Sequence, residues 1–127
     1  MYGLEVCMEK GFKSLEVWRL SKQLAVHTYA LTSSDTLKRD FGLVDQMRLA
    51  AVSVASNIAE GDERDTNKES VRFFYIAKGS AAELYTQLEI AETIYGLDAA
   101  MTSDLKASCD QIARMLRGLI KARSPKL

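Results

Sequence analysis

The chain has 127 residues, 17 basic and 17 acidic side chains and zero net charge, so it lacks the bulk positive charge that draws proteins to nucleic acid. An apolar fraction of 47% beside a charged fraction of 27% is ordinary for a folded globular protein and argues against disorder. No apolar run approaches the roughly 20 residues that a membrane-spanning helix needs.

The opening MYGLEVCMEKGFK carries acidic residues and has no long apolar core, so it does not read as a secretory signal. One cytoplasmic domain over residues 1–127 is the expectation. Cys7 and Cys109 have no CxxC partner, and the only histidine, His27, stands alone, so neither a zinc site nor a disulfide framework is expected. Cys109 falls at a core-spaced position and reads as a small buried hydrophobe.

The sole proline, Pro125, breaks nothing before the end, and apolar residues recur at steps of three and four in four segments. The first, over 14–32, starts with Ser14 as N-cap and Glu16 in its first turn. Its apolar positions, among them Val17, Trp18, Leu24 and Tyr29, form two adjoining stripes and predict burial on a broad face. Thr32-Ser33-Ser34-Asp35 reads as the turn that ends it.

The second helix is expected over 40–60. Val44, Met47, Ala51, Val54 and Ile58 make a heptad seam, and Gly61 stands where a left-handed C-capping glycine belongs. The third, over 66–96, opens with the capping-box pattern Thr66-Asn67-Lys68-Glu69. Phe74, Ala77, Ala81, Leu84, Leu88, Ala91 and Tyr95 give it the strongest periodicity in the chain, and Gly96 ends it. The fourth, over 102–122, starts near Thr102 or Ser103 and carries Leu105, Cys109, Ile112, Leu116 and Leu119. Short connections make neighbours antiparallel, so the fold class is all-α, an up-down-up-down four-helix bundle.

Charge is segregated along the chain. Glu83, Glu89, Glu92, Asp98, Asp104 and Asp110 face one base, Lys106; then come Arg114, Arg117, Lys121, Arg123 and Lys126 with no acid. Such asymmetry can join subunits, pair helices within a chain, or simply lie on solvated faces.

The stretch SVASNIAEGDERDT, Ser53 to Thr66, is the place to look for chemistry. It lacks GK[ST], which excludes a P-loop, and Asp62, Glu63 and Asp65 do not follow a Ca²⁺-loop pattern. Carboxylates before a helix are ordinary dipole complements. Glu60, Glu83 and Glu89 lack the Glu-x-x-His pairs of bundle-core metal sites. No catalytic residue, metal or cofactor is expected.

A polar edge carries more information. Gln46, Ser53, Asn57 and Glu60 flank the second helix's seam, and Arg72, Gly79, Ser80 and Glu83 form a comparable edge on the third. Small residues allow close approach, and buried polar groups need partners across the gap. The expectation is a hydrogen-bonded joint in which Asn57 and Glu60 reach Arg64, Arg72 or Ser80; the alternative is a solvated flank.

These segments also carry a resemblance. QMRLAAVSVASNIAEG (Gln46–Gly61), Arg64 and RFFYIAKGSAAELYTQLEIA (Arg72–Ala91) follow FKSLEVWRLSKQL (Phe12–Leu24), with its aromatic residue before Leu-x-Val-Trp. Together they resemble the four-helix-bundle family named for intervening sequences in bacterial 23S rRNA genes. The likeness runs from Phe12 to Leu97, and the last helix agrees in pattern only. Val54-Ala55 stands where the family often has a proline, which should straighten the helix.

The resemblance implies a ring-like homo-oligomer, a pentamer, and transfers no catalytic residue. The family's name comes from gene context, and rRNA binding is inferred from that name. The accessory protein of diversity-generating retroelements, a basic pentameric bundle that works with a reverse transcriptase and its RNA, is similar in fold. Zero net charge argues against that role here.

Two functions remain. One is an RNA-associated binding module, with Arg48, Arg64, Lys68, Arg72 and Lys78 meeting phosphates of structured RNA and a ring repeating the weak patch. The other is a structural or protein-interaction bundle, an assembly or accessory subunit that holds a protein partner and ignores nucleic acid.

Overall fold

The structure is a computed structural model and describes residues 11–124; Cys7, Pro125, Lys126 and the stretch before Gly11 lie outside it. A 3₁₀ turn, Gly11–Ser14, precedes four helices: α1 (Glu16–Thr32), α2 (Phe41–Asp62), α3 (Asn67–Tyr95) and α4 (Ala99–Arg123). Each packs on its chain neighbours, and α1 closes the square against α4. Side-chain ties fix the directions. Thr32 at the end of α1 meets Arg48 early in α2, Tyr95 ending α3 meets Asp40 before α2, and Glu92 late in α3 meets Lys106 early in α4. The antiparallel four-helix bundle read from the heptads is the fold.

The seams sit where their spacing put them. Val44, Met47, Ala51, Val54 and Ile58 of α2 face Phe74, Ala77, Ala81, Leu84, Leu88 and Ala91 of α3, all buried. On α4 the stripe runs Leu105, Cys109, Ile112, Leu116 and then Ile120, with Leu119 only half-buried. The core face of α1 is narrower than expected. Val17, Leu24 and Leu31 are buried, whereas Tyr29 is exposed and Trp18 half-buried.

Between the apolar residues of α1 lie Ser21, Thr28 and Thr32, fully buried. Each donates its hydroxyl to a carbonyl one turn back, on Val17, Leu24 and Thr28, at 2.7–2.8 Å. That satisfies each hydroxyl proton inside its own helix, so Ser21 and Thr28 occupy the core without a partner on another element, while Thr32 also accepts from Arg48. Leu37, in the α1–α2 connection, plugs the end of the core at 0% exposure.

Three of the expected helix ends differ. Ser14 does not cap α1: its hydroxyl donates to the Gly11 carbonyl at 2.8 Å within the 3₁₀ turn, and Leu15 takes the N-cap position. Gly61 does not cap α2, which continues through Asp62 to a right-handed C-cap at Glu63. Gly61 is instead buried in the helix because the Phe74 ring fills the place a side chain would take. The fourth helix begins earlier than expected, at Ala99, because Asp98 accepts the Ala100 amide at 3.0 Å. Thr102, expected at the cap, is buried one turn inside and donates to Glu92.

Two other ends sit where expected, the first through the threonine half of its capping box. Thr66 accepts from the Glu69 amide at 3.2 Å, and Gly96 is left-handed at φ 60°.

Candidate functional site

The polar edge is a real joint at its centre. Ser53 of α2 and Ser80 of α3 bring their hydroxyls to 2.8 Å, and Asn57 Nδ2 donates to both the carbonyl and the hydroxyl of Ser53 at 2.9 Å. Two small side chains permit this because neither holds the helices apart. Asn57 thus reaches Ser80 through Ser53. Glu60 reaches Arg64 at 2.5 Å, one turn on, and the Arg64 guanidinium lies 4.6 Å from the Phe73 ring centroid.

The remaining edge residues stand apart from this joint. Gln46, Arg72 and Glu83 do not reach its hydrogen bonds, and a side chain at Gly79 would meet nothing within 4 Å, so Gly79 mediates no close approach within the chain. One member was missed. Gln87 lies seven residues beyond Ser80, is buried, and has no hydrogen-bond partner for its Oε1 among the described residues. The step of seven from Ser80 was the available signal.

The five candidate bases separate into three environments. Arg48 is held at the far end of α2: its Nε donates to Thr32 Oγ1 at 2.8 Å and it stacks over Tyr29 at 4.4 Å. Arg64 is occupied by Glu60 and Phe73. Lys68 and Arg72, on the first turns of α3, and Lys78, half-buried, have no ion-pair partner among the described residues. Arg48 therefore does not join the others.

Some of the acidic residues are used within the chain. Lys106 bridges Glu89 at 2.6 Å and Glu92 at 2.9 Å, and those hydrogen bonds raise its pKa. Asp62 accepts from Arg123 at 2.8 Å, while that guanidinium lies over the Phe74 ring. The charge segregation of the sequence resolves in part into ties between neighbouring and facing helices.

Among the described residues no group of histidine, cysteine and carboxylate side chains could hold a metal. The Cys109 thiol is buried, and desolvation pushes its pKa up to about 12, so it is no thiolate nucleophile at neutral pH. No described helix is long and apolar enough to cross a membrane.

What these observations define is a helical bundle with a hydrogen-bonded α2–α3 joint and unpaired bases along α3. A family profile for the 23S rRNA-intervening sequence protein matches residues 13–118, and the chain belongs to that family. A crystal structure from Bacteroides thetaiotaomicron, of a protein of unknown function from the S23 ribosomal protein family, superposes with a TM-score of 0.76. At 19% identity it covers 83% of this chain and 98% of its own, and shows the shared fold. A comparison with curated proteins gave no match.

Proposed function

We propose that the chain is a non-enzymatic, homo-oligomeric binding module that associates with RNA in the cytoplasm. One observation carries the reading: Lys68, Arg72 and Lys78 line the first half of α3 without an ion-pair partner among the described residues. In a protein of zero net charge, bases without an ion pair remain available to phosphate, and these three share one helix. The family's name, tied to 23S rRNA genes, supports RNA as the source of that phosphate.

Assembly would make weak patches effective, because a ring presents each one several times. The exposed faces of α2 and α3 carry apolar residues, Leu49 at 65% and Ile94 at 62% with Ile76 and Ile90, as a subunit interface would require. A pentamer is the assembly that the family resemblance implies. The same apolar residues favour the second reading, a bundle that holds a protein partner and binds no nucleic acid.

Filter binding to structured rRNA fragments across a salt series separates the two. The RNA reading expects affinity that falls steeply with salt, and a Lys68→Gln/Arg72→Gln variant with a shallower slope. No binding at low salt would leave the protein-partner reading.

A further inference from the structure

Between α3 and α4 runs an open groove of about 500 Å³ that the α2–α3 joint does not use. Its floor is made of small residues, among them Ala81, Ala82 and Ala113, so the two helices leave space above it. Tyr75 and Tyr85 stand along one wall, Lys78 enters from α3, and Arg117 enters from α4. We propose that this groove receives an unpaired nucleotide of an RNA strand, its phosphate between Lys78 and Arg117 and its base against Tyr75. The proposal rests on the RNA-association reading and assigns that reading a place and a preference for single-stranded segments.

Three features carry it. First, Lys78 and Arg117 line one groove with no ion-pair partner among the described residues. An anion entering the groove meets two cationic side chains against a single carboxylate. Asp110 is the one acid lining the groove and forms no ion pair with either base. The nearby cation Lys106 is already neutralised by Glu89 and Glu92.

Second, Tyr75 is held 57% exposed one turn before Lys78. A large ring kept in solvent beside a cation offers the stacking surface that unpaired bases use on proteins that bind single strands. Paired bases bury their faces in the helix stack and cannot use it. Third, Lys68, Arg72 and Tyr75 step by four and three along one face of α3 and lead into the groove at Lys78. That path is about 15 Å long at the helical rise per residue, which suits a polymer backbone better than an isolated small anion.

The test is fluorescence anisotropy of the full chain with a labelled oligouridine, the same strand in a duplex, and uridine monophosphate. The expected order of affinity is single strand above duplex, with the monophosphate weakest. Tyr75→Ala should weaken oligouridine binding by about tenfold, and Tyr75→Phe should restore it. Lys78→Gln/Arg117→Gln should flatten the salt slope by roughly 0.7 for each phosphate that is no longer neutralised.

Photocrosslinking of thiouridine-labelled RNA to the unaltered protein gives a readout that needs no variant. Crosslinks at Tyr75 or in the α4 segment around Arg117 support the groove. Structured RNA that binds normally to the Lys78→Gln/Arg117→Gln variant, with crosslinks confined to the Lys68–Arg72 turns, overturns the groove and leaves RNA association standing. Absence of binding to any RNA by the wild-type chain overturns both.

Discussion

A methyl group placed on Gly61 would lie 2.7 and 2.9 Å from two carbons of the Phe74 ring and 3.0 Å from the Ser70 carbonyl oxygen. The backbone of α3 cannot withdraw without opening the core, so Gly61→Ala should destabilise by about 1–3 kcal/mol, the range for overpacking. Denaturant melts of Gly61→Ala, Phe74→Leu and the double variant would check this. The double variant should be more stable than the sum of the two losses, and strict additivity would contradict the contact. A second residue-scale tie joins Tyr95 to Asp40, hydroxyl to carboxylate, at 2.5 Å. The Tyr95 hydrogen bond, then the Leu43 amide, holds the Asp40 pKa below its ordinary value. A depressed carboxyl pKa means stability that is present above the unfolded-state value and is lost as pH falls through the folded one. Tyr95→Phe should therefore lower Tm at neutral pH, with the gap to wild type narrowing on acidification. A gap constant down to the acid limit would show that Asp40 is not the partner that matters.

Along the helices, the joint of Ser53, Ser80 and Asn57 tests whether polar contacts or apolar packing hold α2 to α3. Asn57→Leu removes the donor to Ser53 and places an apolar side chain beside two hydroxyls. A loss of about 1 kcal/mol in a denaturant melt, or an altered assembly mass, is expected. If neither changes, the joint is a solvated flank. The end of α2 shows why this stretch resists reading from the chain alone. A glycine before a charged run has the pattern of a C-cap, yet Gly61 keeps right-handed geometry and Glu63 ends the helix. A close-approach glycine and a capping glycine look the same in sequence, because only the arrival of Phe74 from α3 distinguishes them.

For the whole molecule, the exposed apolar surface of α2 and α3 is the feature that a lone bundle does not account for. Leu49, Ile76, Ile90 and Ile94 are exposed on these two helices, and Gln87 on the same helix as the three isoleucines has a buried oxygen without a partner among the described residues. Native mass spectrometry should find an assembly, and Leu49→Lys/Ile94→Lys should shift it toward monomer while leaving helicity intact. A monomeric wild-type chain would remove the avidity on which weak RNA binding depends. The proposed groove lies between α3 and α4, so the double lysine variant should still crosslink RNA at Tyr75, only more weakly.

The sequence by itself determined the bundle. Heptad steps in α2, α3 and α4 record a requirement that every turn bury an apolar group, and that requirement is local enough to read. The Thr66 and Gly96 helix ends were equally legible, since their chemistry lies within one turn. Tertiary structure decided the rest. Buried Ser21, Thr28 and Thr32 look like surface residues until their own helix satisfies them, and the Ser53–Ser80 pair joins positions 27 residues apart. Arg48 looks equivalent to Lys78 in the chain, but Thr32 and Tyr29 claim it. Arg117 comes to the same groove as Lys78 only because α4 folds back antiparallel on α3. Periodicity reports which face a residue occupies; which side chain stands opposite it is decided by the packing of the other helices.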